Sequence, residues 1–110
     1  MLKEARTNKF KKDWKRLKKS GYNLSKVDEV MQMLRKEEVP LPEKYLDHPL
    51  EGEMADFREC HIKFDWLLIY YYAVLEENDS DRTYIDENGE EQEYNGVVVF
   101  VATGNHDDLF

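Results

Sequence analysis

Cysteine is nearly absent from this chain, and no part of it stays apolar for long. Cys60 is the single cysteine, so an intramolecular disulfide is excluded and no thiolate metal site can be assembled from this chain alone; a reducing compartment fits that usage. Cys60 itself reads as a small buried hydrophobe. The longest apolar run, Trp66 to Val74, falls far short of the roughly 20 residues that a membrane-spanning helix needs. Met1 leads directly into polar, lysine-rich sequence with no signal-peptide apolar core, so a cytoplasmic location is expected. Internal repeats are missing, and the only compositional bias is a local excess of acid.

What remains is a chain of 110 residues, 41% apolar, 13% aromatic and 36% charged, the profile of one globular domain spanning residues 1–110. Positive charge is scarce overall, with a net of -8, which suits a nucleic-acid partner poorly at first sight. The distribution matters more than the sum. Residues 1–36 carry twelve Lys or Arg against four acids, whereas residues 37–110 carry four against twenty. Nine of those acids and only Arg82 fall between Glu76 and Glu93, so residues 76–96 read as an acidic insertion.

Hydrophobic spacing supplies the elements. Thr7 is a plausible N-cap for a helix with Phe10, Trp14 and Leu17 on one stripe, ended by Gly21, its other faces rich in lysines that could meet phosphates or simply solvent. Ser25 opens a second amphipathic helix with Val27, Val30, Met31 and Leu34 on one face, stopped by Val39-Pro40-Leu41-Pro42. Residues 43–55, with Pro49 and Gly52, read as a loop that carries His48. Phe57 to Ile62 reads as a strand with Phe57, Glu59 and His61 on one face and Arg58, Cys60 and Ile62 on the other. Trp66 to Val74 reads as a central strand covered on both faces, and Val97 to Val101 as the next strand. Asn88-Gly89 is a type I′ turn signal within a protruding acidic β-hairpin, and residues after Gly104 form a tail. The fold class is α+β: a two-helix hairpin packed on a small antiparallel sheet of three or four strands.

The three histidines, His48, His61 and His106, all lie outside the helices, with Asp65 at the start of the central strand. RNA cleavage through the 2′-hydroxyl needs a base, an acid for the 5′-oxygen and donors for the charged phosphorane; imidazole serves in each role, and no metal or cofactor is required. Unrelated surface histidines fit the spacing equally well.

Four linked motifs go further: Leu41-Pro42-x-x-Tyr45-x-Asp47-His48-Pro49-Leu50-x-Gly52, then Phe57-Arg58-x-x-His61, then Asp65-Trp66-Leu67-Leu68-Ile69-Tyr70, and Thr103-Gly104-x-His106 with terminal Leu109-Phe110. In order and spacing they resemble the YafQ branch of the RelE/ParE toxins. The resemblance implies a RelE-like fold, a metal-independent, ribosome-dependent mRNA endoribonuclease, and a cognate antitoxin as partner, engaged through an amphipathic segment in an apolar groove. It maps the catalytic set onto His48, His61, Asp65 and His106, with Arg58, Glu59, Trp66 and Phe110 as supporting or substrate-binding positions. In that mapping His48 is the base and His106 the acid, or the two labels exchanged, and His61 with Asp65 orients imidazoles and phosphate, while Trp66 stacks a nucleobase or packs in its strand. Four departures from the family pattern stand out. Ala102 replaces an arginine before Thr-Gly, Glu59 replaces an aspartate, Met54-Ala55 replaces a more aromatic and basic pair, and the acidic hairpin is extra. They raise the alternative of a catalytically weakened protein of this fold that acts by binding. A gyrase-directed toxin and a zinc site from the same histidines are further readings, distinguished by gyrase-dependent breaks and by chelator sensitivity.

Overall fold

The computed structural model describes all 110 residues and has one mixed sheet with two helices on one face. Strand β1 (Lys3–Arg6) leads into α1 (Asn8–Lys19), and α2 (Ser25–Arg35) follows a tight turn. The sheet continues with β2 (His48–Pro49), β3 (Arg58–Lys63), β4 (Trp66–Ala73) and β7 (Val97–Gly104), in the order β1-β7-β4-β3-β2. The four strands β7, β4, β3 and β2 pair antiparallel, as expected, whereas the opening stretch adds β1 parallel to β7 at the far edge. That strand was not legible in advance because its short charged sequence, Lys-Glu-Ala-Arg, carries no apolar alternation.

The first helix begins and ends as its sequence dictates, whereas α2 has no side-chain cap at Leu24 and ends at Arg35, with Glu37 left-handed at φ 60°, before the expected stop at Val39-Pro40. Thr7 accepts a hydrogen bond from the Phe10 amide at the start of α1, and Gly21, at φ 80°, takes the left-handed conformation just beyond its end. Phe10, Leu17, Val27, Val30, Met31 and Leu34 are buried against Cys60, Leu68, Tyr70, Val98 and Phe100 of the sheet in one continuous core. Cys60 is fully buried, and that burial pushes its thiol well above the ordinary range, so it is inert packing. The central strand β4 is covered on both faces only from Trp66 to Tyr70; Tyr72 is exposed.

Strands β5 (Thr83–Ile85) and β6 (Glu91–Glu93) form the acidic hairpin as a separate two-stranded sheet. Its turn is not type I′. Asn88 has no positive φ, while Gly89 does, at 79°; the Asp86 carboxylate instead accepts from the amides of Asn88 and Glu90. A loop of three residues closing on a left-handed glycine results, with the aspartate cap outweighing the Asn-Gly preference. The tail after Gly104 is a short helix, α3 (His106–Leu109), opened by a capping box between Asn105 and Asp108.

Candidate active site

Strand alternation decides which side chains leave the core. On β3, Cys60 and Ile62 enter the helix-covered face, so Glu59 and His61 emerge on the open one. Pairing then extends a row across four strands: His48 opposite Glu59, Glu59 opposite Ile69, and Ile69 opposite Ala102. His48 therefore lies in a two-residue strand at the sheet edge rather than in a free loop. The adjoining row is His61, Leu67 and Gly104, and Gly104 hands the chain to α3, which starts at His106.

Glu59 is the centre of this arrangement. Its carboxylate is buried, with Oε2 lying 3.3 Å from His48 Nε2 and Oε1 3.8 Å from His106 Nε2. Oε1 is buried without a hydrogen-bond partner, a cost of about 1–3 kcal/mol for a carboxylate oxygen unless a proton donor is supplied. Asp65, exposed in the turn between β3 and β4, comes within 3.7 Å of His106 Nδ1. His61 joins the group from the other side, its ring centroid 6.3 Å from that of His48. Both outer imidazoles are about half open to solvent, at 48% for His48 and 58% for His106. A buried anion thus backs two accessible rings, a disposition that can pass protons to and from a bound substrate. Phe110, largely exposed, holds its ring 5.8 Å from that of His106.

Two expected substrate contacts lie elsewhere. Trp66 is buried, its indole Nε1–H donating to Thr103 Oγ1 at 2.9 Å and its ring edge-on to Tyr22. It packs in its strand and offers no face to a nucleobase. Arg58 points away from Glu59, as alternation requires, and binds Asp47 at 3.2 Å on the wall of an open cleft of about 470 Å³ that also reaches Leu46 and His48. No three imidazole or carboxylate groups converge closely enough, as they stand, to ligate one ion.

Several residues that hold the site escaped the sequence reading. Asp13 is buried in α1 and accepts from the Thr103 amide at 3.1 Å and from Arg16 at 2.8 Å. Arg16 also donates to the Thr103 carbonyl and to Asp108, which caps the helix bearing His106. The signal was present: Asp13 falls on the same helical face as Phe10 and Leu17, where an acid needs a buried partner. The acidic hairpin leaves the sheet at the Ala73 and Val97 ends of β4 and β7, while the histidine row crosses the Leu67 to Ile69 part of β4. Several strand residues, at roughly 3.3 Å each, intervene.

Residues 2–80 match the family model described as bacterial toxin of type II toxin-antitoxin system, YafQ. The chain belongs to the YafQ family. The mRNA interferase toxin YafQ of Escherichia coli K12 is 36% identical over 64 residues, covering 58% of this chain and 70% of that protein. The toxin in the E. coli DinJ-YafQ complex superimposes with a TM-score of 0.74 at 27% identity, over 100% of this chain and 99% of that one. A metal-bound toxin from Helicobacter pylori superimposes with a TM-score of 0.72 at 37% identity over the full length of both. The YafQ match by family model ends before β5, so Ala102, His106 and Phe110 lie beyond it, while the structural superpositions span them.

Proposed function

We propose that this YafQ-family chain is an mRNA endoribonuclease that works on the ribosome and is restrained by a cognate antitoxin. The observation that carries the reading is the Glu59 carboxylate set between His48 and His106 on the open face of the sheet. The relatives support it by name: one is an mRNA interferase, and another was crystallised with the protein DinJ.

In the proposed reaction His48 Nε2 takes the proton of a ribose 2′-hydroxyl. The oxygen attacks the adjacent phosphorus, the bond from phosphorus to the 5′-oxygen breaks, and His106 gives a proton to that leaving oxygen. The products are a 2′,3′-cyclic phosphate and a 5′-hydroxyl, with no redox change and no net proton consumed. The same geometry serves with the two labels exchanged. Glu59 lies between the two imidazoles, and Asp65 faces the other nitrogen of His106. His61 and Asp65 orient the rings and the phosphate.

Ala102 favours a second reading, a weakened enzyme that acts through binding. It occupies the Glu59 row, is buried, and brings no guanidinium to the phosphate. The acidic hairpin weighs less against catalysis, because it stands at the other end of the central strands and its charge is screened over about 8 Å at physiological salt.

The test is purified protein added to ribosomes programmed with a defined mRNA, with cuts mapped by primer extension and with His106→Ala and EDTA arms. A-site cuts that survive EDTA and vanish in His106→Ala are expected. Folded, antitoxin-free protein that leaves the message intact would establish the binding reading, and cuts abolished by EDTA would replace imidazole catalysis with a metal-dependent mechanism.

A further inference from the structure

The geometry points to Asp47 and Tyr70 as positioning residues that decide which nitrogen of His48 exchanges a proton with the substrate, a role that rests on the ribonuclease reading above. The starting observation is the His48 ring. Its Nδ1 lies 2.7 Å from the Leu46 carbonyl oxygen. A carbonyl only accepts, so Nδ1 donates to it in this ring placement, and Nε2, which faces the Glu59 carboxylate at 3.3 Å, is the nitrogen at which a proton comes and goes.

Holding that carbonyl in place is not free. Leu46 sits at φ 49°, ψ 41°, a left-handed conformation that a leucine side chain disfavours. Asp47, the residue between Leu46 and His48, is clamped from the core. Tyr70, fully buried in β4, donates its hydroxyl to Asp47 Oδ1 at 2.6 Å, and Arg58 donates to Oδ2 at 3.2 Å. Both carboxylate oxygens are thereby engaged by two adjacent strands of the sheet, since Arg58 and Tyr70 are register partners. The clamp pins the turn, the turn presents the Leu46 carbonyl, and the carbonyl fixes the tautomer. Burial and the neighbouring Asp47 carboxylate push the Tyr70 phenol above its ordinary range, so the donor persists at every pH at which the protein would be assayed.

The tautomer is read directly from long-range ¹⁵N–¹H spectra of the histidine side chains, recorded above the imidazole titration and assigned with His48→Gln. Wild type is expected to show His48 with hydrogen on Nδ1. Tyr70→Phe keeps the buried ring and removes only the donor, and Asp47→Asn keeps an acceptor for Tyr70 while weakening the hold of Arg58. Both are expected to move His48 toward a mixture of tautomers. Single-turnover cleavage by Tyr70→Phe should fall about tenfold, with KM unchanged within about twofold. Wild-type His48 with hydrogen on Nε2 would overturn the proposal. So would a Tyr70→Phe protein that keeps both the Nδ1 hydrogen and the full rate, or one whose loss appears wholly in KM. The spectra need no activity, so a wild-type protein that cuts nothing would remove the ribonuclease reading while the spectra still judge the clamp.

Discussion

The two ends of the Glu59 carboxylate meet imidazoles that are held in very different ways. His48 stands in a strand, its ring bonded to the Leu46 carbonyl and its turn clamped by Asp47, Tyr70 and Arg58. His106 begins a four-residue helix near the end of the chain, seated by the partly exposed contacts of Arg16 and Asp108 and by its own capping box. One ring is fixed by the core of the sheet; the other is carried by a short helix that Arg16 of α1 ties down through Asp108. The difference teaches that orientation is built in at the His48 end, while the His106 end depends on a chain of polar links running back to Asp13. It also explains why the first helix, without contributing a residue to the histidine cluster, matters to the site.

The comparison breaks most visibly if the imidazoles themselves are dispensable. His48→Ala and His106→Ala should each lower cleavage by roughly a hundredfold or more while leaving the circular dichroism spectrum unchanged, because both rings are about half exposed. Equal activity in either variant would remove that ring from the chemistry. Asp13→Ala comes next and acts on stability. It strips the Thr103 amide and Arg16 of a buried acceptor, and denaturant unfolding should report a loss of about 2 kcal/mol. Arg16→Ala sharpens the contrast: its side chain is 42% exposed, so the melting temperature should move little, yet cleavage should fall about tenfold through the displaced His106. If Arg16→Ala changes neither, the link from α1 to the tail is ornamental.

The smallest effect belongs to the hairpin. Asp79 is held below the ordinary carboxylate range first by its hydrogen bond from Lys3, and Glu37 likewise by its hydrogen bond from the N-terminal ammonium. Groups with lowered values contribute stability that is complete above the ordinary carboxylate value and is lost as pH falls through the lower, folded-state value. Protection factors of the amides around β5 and β6 should therefore be unchanged from pH 7 to about 5 and fall only under stronger acid. Protection lost already near neutral pH would mean that other contacts hold the hairpin.

How much of this was legible beforehand follows physical lines. The helix faces, the Thr7 cap and the alternation along β3 were readable because apolar spacing and strand period are local properties. Placing Glu59 and His61 together needed nothing more than that period. The convergence of His48, Glu59 and His106 was not readable from spacing, since it depends on register between strands far apart in the chain; only the resemblance in motif brought those residues into one set. Trp66 takes the strand-packing place that was one of its two readings, and Arg58 reaches the site through Asp47 rather than beside Glu59. A tryptophan at the head of an apolar strand packs there, and an arginine one residue from Glu59 must face the other way. Asp13 and Asp47 were overlooked because a carboxylate held by the fold is recognised by its donors, which here include groups of β7, β4 and β3.

The central claim is that His48, Glu59 and His106 act as one unit, and a double-mutant cycle tests it most directly. Single-turnover cleavage of ribosome-bound mRNA would be measured for wild type, Glu59→Gln, His106→Ala and the double variant. Groups that act as a unit are strongly non-additive, so the double variant should be scarcely slower than the worse single one. Losses that simply multiply would show that Glu59 and His106 work independently and would contradict the account.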